Sequence, residues 1–216
     1  MKIGILGTGI VGRNLATKLV DLGHSVKIGS RTKDNKEAIG WTKENGVKAS
    51  HGTFADAAAF GEMLFNCTHG TNSIEALKSA GDKNISGKII VDVANPLDFS
   101  SGELKLTVCN TDSLGEQIQR TFPKARVVKA LNTIGTDVQV NPSLLKGEHD
   151  VFISGNDKDA KVKVAELLKS FGWKSVVDLG EIKSARGQEA LMLIFMPLSK
   201  VFPNKRFNYR VVREGT

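Results

Sequence analysis

The order of elements along this chain predicts an α/β protein with a mainly parallel sheet and helices on both faces. Three observations carry that expectation. The apolar run Lys2–Leu6 ends in the loop Gly7-Thr8-Gly9-Ile10-Val11-Gly12. Behind the loop Val11, Leu15, Leu19 and Leu22 recur at helical spacing. Strand-like and helix-like segments then alternate, the order that gives parallel strands joined by helical crossovers. With 216 residues, 40% hydrophobic and 25% charged, the chain can bury one sizeable core and is neither disordered nor a miniature scaffold.

Gly23-His24 closes the first helix, with His24 in a structural role, and residues 25–29 (SVKIG) return as a second strand, completing a βαβ unit. The spacing next predicts a polar helix over 33–45, a strand over 63–67, a helix over 73–80 and a buried-type strand over 88–93 (KIIVDV). A helix over 113–121, strands over 126–130 and 150–154, a helix over 157–171 and a strand over 175–178 follow. In the 157–171 helix Ala160, Val164, Leu167, Leu168 and Phe171 share a face, and Asn156 is placed to cap its start with Asp159 behind it. Trp173 reads as packing at the connection that follows.

Residues 182–196 read as helical and end in Leu191–Met196, apolar on every side, so the run must be covered all round by a subunit interface or a hydrophobic pocket. The alternation from Phe207 to Val211 suggests a terminal strand. With no internal repeat or linker, the economical division is a nucleotide-binding domain over 1–180 and a C-terminal helix and tail over 181–216 that serves an interface or the acceptor site. No separate substrate domain is expected, so an acceptor is expected in a shallow cleft or between subunits, and a homodimer is expected.

The longest apolar run, Ala190–Met196, is seven residues, far short of the ~20 that a membrane-spanning helix needs, and no secretory signal pattern opens the chain. A cytoplasmic protein without membrane contact is expected. The net charge of +7 is +5 over residues 1–50, −2 over 51–196 and +4 over 197–216. No basic stripe is interleaved with aromatics, which are 6% of residues, so the stacking platform of a nucleic-acid binder is missing. A small polyanion near the N-terminus fits the charge better. Cys67 and Cys109 lack metal-ligand spacing and read as buried free thiols, with no metal site. His149, between Glu148 and Asp150, reads as a solvated loop residue.

The glycine loop follows a predicted strand and opens a predicted helix, the context that gives a GxGxxG spacing mechanical meaning. Gly7 permits the tight turn, Gly9 lets the backbone approach a pyrophosphate, and Gly12 lets the helix pack closely, which makes the domain Rossmann-type. The backbone N–H groups of Thr8, Gly9, Ile10 and Val11 then face phosphates from the positive end of the helix dipole. An NAD site carries an acid at the end of the second strand, where it binds the ribose 2′-hydroxyl. Here the strand ends Gly29-Ser30-Arg31-Thr32-Lys33, with no acid before Asp34. The Ser30 hydroxyl, the planar Arg31 fork and a lysine, Lys33 or Lys36, suit a 2′-phosphate, so NADP(H) is the expected cofactor.

Three motifs in order, the glycine loop with Gly29-Ser30-Arg31, then residues 91–96 (VDVANP), then residues 127–133 (VVKALNT), resemble the NADP oxidoreductases dependent on the deazaflavin coenzyme F420. The same motifs resemble the cytosolic NADPH-binding domain of the six-transmembrane metalloreductases. The resemblance spans roughly residues 1–195 and implies hydride transfer between NADP(H) and a flavin-like ring. It places Thr8, Gly9, Ile10 and Val11 on the pyrophosphate, Ser30, Arg31 and Lys36 on the 2′-phosphate, and Thr68, His69, Asn95 and Ala130 beside the ribose and nicotinamide. Where the deazaflavin enzymes have histidine this chain has Asn132, as the metalloreductase-like domains do.

No Ser/His/Asp, Cys/His or paired-carboxylate set can be assembled, which suits a reaction whose reactivity lies in the cofactors. His69 is the best-placed histidine, as a cofactor wall or a proton donor, while Asn132 and Thr133 either bond the nicotinamide amide or acceptor ring or close a loop. The expected activity is an NADPH-dependent reductase acting on F420 or a flavin as small-molecule acceptor. Reduction of ferric chelates or a small carbonyl compound, and a redox sensor that binds NADP(H) without turnover, are the alternatives.

Overall fold

A computed structural model describes residues 1–214; the last two residues of the 181–216 tail lie outside the described residues. The first half runs β1 (Lys2–Leu6), α1 (Ile10–Asp21), β2 (Ser25–Ser30), α2 (Lys36–Glu44), β3 (Ala49–Thr53), α3 (Phe54–Phe60), β4 (Met63–Asn66), α4 (Ser73–Ala80), α5 (Asp82–Ile85) and β5 (Ile89–Asp92). The second runs β6 (Leu97–Asp98), β7 (Lys105–Leu106), α6 (Leu114–Thr121), β8 (Arg126–Ala130), α7 (Thr136–Val140), β9 (Asp150–Gly155), α8 (Lys158–Ser170), β10 (Ser175–Asp178), α9 (Ala185–Ala190) and α10 (Met192–Val201). The main sheet has the order β3-β2-β1-β4-β5-β8-β9-β10, while β6 and β7 form a small antiparallel pair.

The first six strands of that order are parallel, which is the doubly wound 3-2-1-4-5-6 arrangement. Period-two alternation feeds two cores. Ile3, Ile5, Phe65, Val91 and Val128 pack on one face with Leu15, Leu19, Trp41 and Val164, and Leu64, Ile90 and Val127 pack on the other with Leu77 and Ile118. α3 presses so close to β1 that a Cβ on Gly4 would lie 2.3 Å from the Ala57 carbonyl oxygen.

Several sequence expectations need correction. β3 and α3 were not anticipated, because ASHGT buries only Ala49 and Gly52 and has no apolar alternation to read. Their junction is nonetheless locally encoded by a Thr53/Asp56 capping box. β9 runs antiparallel to β8 and carries β10 with it. The N-cap of α8 is Asp157, which accepts from Ala160 N, whereas the Asn156 side chain accepts from Ile182 N instead. Cys109 is exposed and Cys67 only partly buried. His149 is not a solvated loop residue: its ring meets Trp173 edge-on at 5.0 Å and bonds the Pro142 carbonyl and Asn208.

The apolar 191–196 run is only partly covered, with Leu193 47% and Ile194 53% exposed. Residues 207–211 form no strand, although Asp150 N donates to the Tyr209 carbonyl beside the start of β9. Among the described residues no helix is long and apolar enough to cross a membrane.

α9 is tied to α6 by Arg186, whose guanidinium donates twice to Glu116, at 2.8 and 2.7 Å. That contact, against the opposing effect of burial, holds Glu116 below its ordinary value of 4.5. A carboxylate lowered in the folded state contributes stability above its unfolded pKa, and the contribution is lost as pH falls through the folded value. Arg186→Gln is therefore expected to lower the urea midpoint at about pH 7, with the difference narrowing as pH falls below 4.5. An unchanged gap at the lower pH would refute the assignment.

Candidate cofactor-binding site

β1 and β4 are neighbours, but the chain leaves β1 toward β2 on one side and reaches β4 only after β3, so a crevice opens where their carboxyl ends part. A groove of about 670 Å³ occupies this switch point, between the loop after β1, the end of β2 and the loop after β4. Gly7 has φ +117°, and a Cβ there would lie 2.5 Å from the Cys67 carbonyl oxygen, so only glycine fits the turn. A Cβ on Gly12 would lie 2.3 Å from the Gly7 carbonyl oxygen, while one on Gly9 would meet no protein atom within 4 Å. α1 starts at this loop without a side-chain cap or an acid in its first turn, which leaves its positive end to the groove. Arg13 holds the Thr8 carbonyl at 2.7 Å and pairs with Glu37, bracing the loop against α2.

Gly7, Thr8, Gly9, Ser30, Arg31, Thr68 and His69 line this groove. Ile10 and Val11 open α1, Ile10 exposed and Val11 partly buried. Lys36 is the first residue of α2 and is not part of the groove lining; its neighbour Asn35, which caps α2 by accepting from Ala38 N, is. The Ser30 hydroxyl donates to the Thr32 carbonyl, folding the turn so that Arg31 stands exposed at the groove's edge. The His69 ring is exposed and bonds Thr71. Burial of the sulfur, with a smaller effect from the Asp92 charge, pushes the Cys67 thiol up.

The other named residues gather at the ends of β5 and β8. Ala130, Asn132 and Thr133 are buried and Asn95 partly so. Leu131 adopts φ +63°, an uncommon conformation for a bulky residue, with its carbonyl held by Gln139 at 2.9 Å. Asn95 and Asn132 are cross-linked: Asn95 Nδ2 donates to the Asn132 carbonyl at 2.7 Å, and Asn132 Nδ2 donates to Asn95 Oδ1 at 2.8 Å. Asn132 Nδ2 also donates to the Gln188 carbonyl at 3.0 Å, so both its protons are committed within the protein and the side chain closes the loop.

Sequence reasoning missed a buried charged cluster. Lys129 and Asp92 are register partners on adjacent strands, both fully buried, with Nζ 2.9 Å from Asp92 Oδ2 and 2.7 Å from Glu189 Oε1. Burial alone would lower the Lys129 pKa, but the facing carboxylates outweigh it and hold the ammonium above its ordinary range. The available signal was a charge, Asp92 or Lys129, placed after each of the apolar runs IIV and VV of residues 88–93 and 126–130.

Comparison with known proteins fits this architecture. The family described as NADP oxidoreductase coenzyme F420-dependent matches residues 2–96. The chain is 33% identical over 201 residues to the rat (Rattus norvegicus) metalloreductase STEAP3, a match covering 93% of this chain but only 38% of that protein. It is 27% identical to the F420-dependent NADP reductase of Methanocaldococcus jannaschii over 98% of both chains. A crystal structure from Arthrobacter sp. FB24, described as a candidate F420-dependent NADP-reductase, is 49% identical, covers 99% of this chain and 100% of its own, and superposes with a TM-score of 0.94. A reductive aminase from Aspergillus terreus shares the fold at 22% identity and a TM-score of 0.68, over 93% of this chain and 63% of its own. The full-length match at 49% identity, together with the family match across the groove-forming first half, shows that the chain belongs to the family of F420-dependent NADP oxidoreductases.

Proposed function

We propose that this protein binds NADP(H) in the groove and passes a hydride between its nicotinamide and a flavin-like acceptor, with the deazaflavin coenzyme F420 as the favoured partner. The observation that carries the reading is the pairing of an uncapped α1 N-terminus at the glycine loop with Ser30-Arg31-Thr32 at the end of β2, where the acid of an NAD site is replaced by Arg31 and the first carboxylate, Asp34, bonds Thr32. The residues fit the cofactor: Gly9 leaves room for a pyrophosphate, and Arg31 supplies a planar donor fork for a 2′-phosphate. The dinucleotide supplies the hydride, so the chain is asked for position rather than proton transfer.

In that task Gly7 and Gly12 hold the loop open, the amides of Thr8 to Val11 bind phosphate oxygens, and Arg31 selects the phosphorylated ribose. Thr68 and His69 wall the crevice after β4, and the cross-linked Asn95–Asn132 pair fixes the loops at the ends of β5 and β8. The choice of F420 rests on the family and on its relatives' descriptions.

Calorimetry with NADPH and NADH, followed by NADPH oxidation with F420, FMN, FAD and ferric chelates in turn, tests the reading. Selective NADPH binding with turnover on F420 is the expected result. Turnover only on a flavin or ferric chelate would reassign the acceptor, and selective binding without turnover would make the protein a sensor. A protein that binds neither nucleotide would refute the reading.

A further inference from the structure

The buried cluster does more than fill space. The three ammonium protons of Lys129 go to Asp92 Oδ2 at 2.9 Å, the Ala94 carbonyl at 2.5 Å and Glu189 Oε1 at 2.7 Å. Asp92 Oδ1 accepts from Asn66 Nδ2 at 2.8 Å, and Asn66 Oδ1 accepts from the Thr68 hydroxyl at 2.7 Å, on the groove wall. The two oxygens of Glu189 accept from Leu114 N at 2.9 Å and Gly115 N at 3.0 Å, so a residue of α9 satisfies two open donors at the start of α6. One cation thus faces two carboxylates, with the surplus negative charge set against the positive end of a helix.

Stability alone does not account for such a cluster, since buried ion networks can often be exchanged for apolar packing without loss. Apolar packing would not fix direction. The cluster aims the Ala94 carbonyl inward and so sets Asn95, whose carbonyl lies so close to Gly70 that a Cβ there would stand 2.0 Å away. Asn95 in turn holds Asn132, and Gln188, next to Glu189, holds Asn132 from the other side through its carbonyl. Gln188 and Glu189 are each 1% exposed. Two successive residues of α9 therefore anchor the same pair of loops.

We infer that Lys129, with Glu189 as its second anchor, is a positioning residue that sets the loops at the ends of β4, β5 and β8 for the nicotinamide half of the dinucleotide, while the adenosine half is bound independently. This rests on the groove being the NADP(H) site. Arg31 and the glycine loop lie outside the cluster's hydrogen bonds, so the two halves can be separated experimentally.

The test compares NADPH with 2′,5′-ADP, which carries the adenosine and 2′-phosphate but no nicotinamide, on the full chain of the wild type, Lys129→Met and Glu189→Gln. Lys129→Met is expected to bind 2′,5′-ADP within about twofold of wild type and to lose at least about fivefold in NADPH affinity, with altered nicotinamide fluorescence. Glu189→Gln, which keeps the shape and a carbonyl acceptor, is expected to shift in the same direction by less. Folded variants that bind both ligands as wild type does would overturn the inference, and so would an equal loss for both ligands. If neither variant folds, the cluster is a stability element and the inference fails. If the wild type binds neither ligand, the functional reading has failed instead.

Discussion

Arg31→Asp is expected to invert the nucleotide preference, with NADPH affinity falling about 100-fold and NADH affinity rising to meet or pass it. A charge-assisted contact to phosphate contributes about 1.5–3 kcal/mol, and each 1.4 kcal/mol is tenfold in affinity. Arg31 is exposed at the groove edge, so salt screening pulls its loss toward the lower end. The introduced carboxylate adds repulsion to the 2′-phosphate and restores the acid that binds a free ribose 2′-hydroxyl in NAD sites. Calorimetry with both nucleotides at two salt concentrations checks it. Unchanged NADPH affinity would move the 2′-phosphate away from the end of β2.

What the sequence made legible was chemistry confined to a few consecutive residues. The glycine loop between a strand and a helix, and the missing acid after β2, are local facts that tertiary structure only arranges. β3 escaped because a polar edge strand buries too little to alternate, and the direction of β9 escaped because DVFIS reads alike in either orientation. Lys36, expected beside Arg31 on the 2′-phosphate, is the first residue of α2, next to the groove-lining Asn35 that caps this helix.

The buried cluster shows the same limit from the other side. Lys129 and Asp92 stand out as charges after apolar runs, yet their pairing depends on β5 and β8 becoming neighbours. Glu189 completes the set from a helix far along the chain, within a segment whose apolar character drew attention to Leu191–Met196 instead. Asn132 was weighed as a ring ligand or a loop closer, and only the position of Asn95 and Gln188 shows its amide protons spent inside the protein. Residues that hold a site together from different elements carry no sequence signal of their own partners.

The two glycines that flank the start of α1 should respond to alanine in opposite ways. In Gly12→Ala the new Cβ would stand 2.3 Å from the Gly7 carbonyl oxygen, a backbone atom that cannot swing aside. Overpacking of this kind costs about 1–3 kcal/mol or more, against a gain of about 1 kcal/mol from replacing glycine inside a helix. With the backbone itself in the way, the upper end applies, and a net loss of about 2 kcal/mol would lower Tm by roughly 4–8 °C for a domain of this size. Gly9 has φ −68°, which alanine adopts freely, and its Cβ would meet no protein atom within 4 Å. Gly9→Ala should therefore keep Tm within about 3 °C of wild type, since the weaker N-cap costs under about 1 kcal/mol. It should nonetheless lose at least about tenfold in NADPH affinity, because the methyl stands where the backbone must approach the pyrophosphate. Thermal unfolding and calorimetry on the two variants separate a glycine that the fold requires from one that only the ligand requires. A Gly9→Ala protein that binds NADPH as tightly as wild type would show that the pyrophosphate does not lie against this loop.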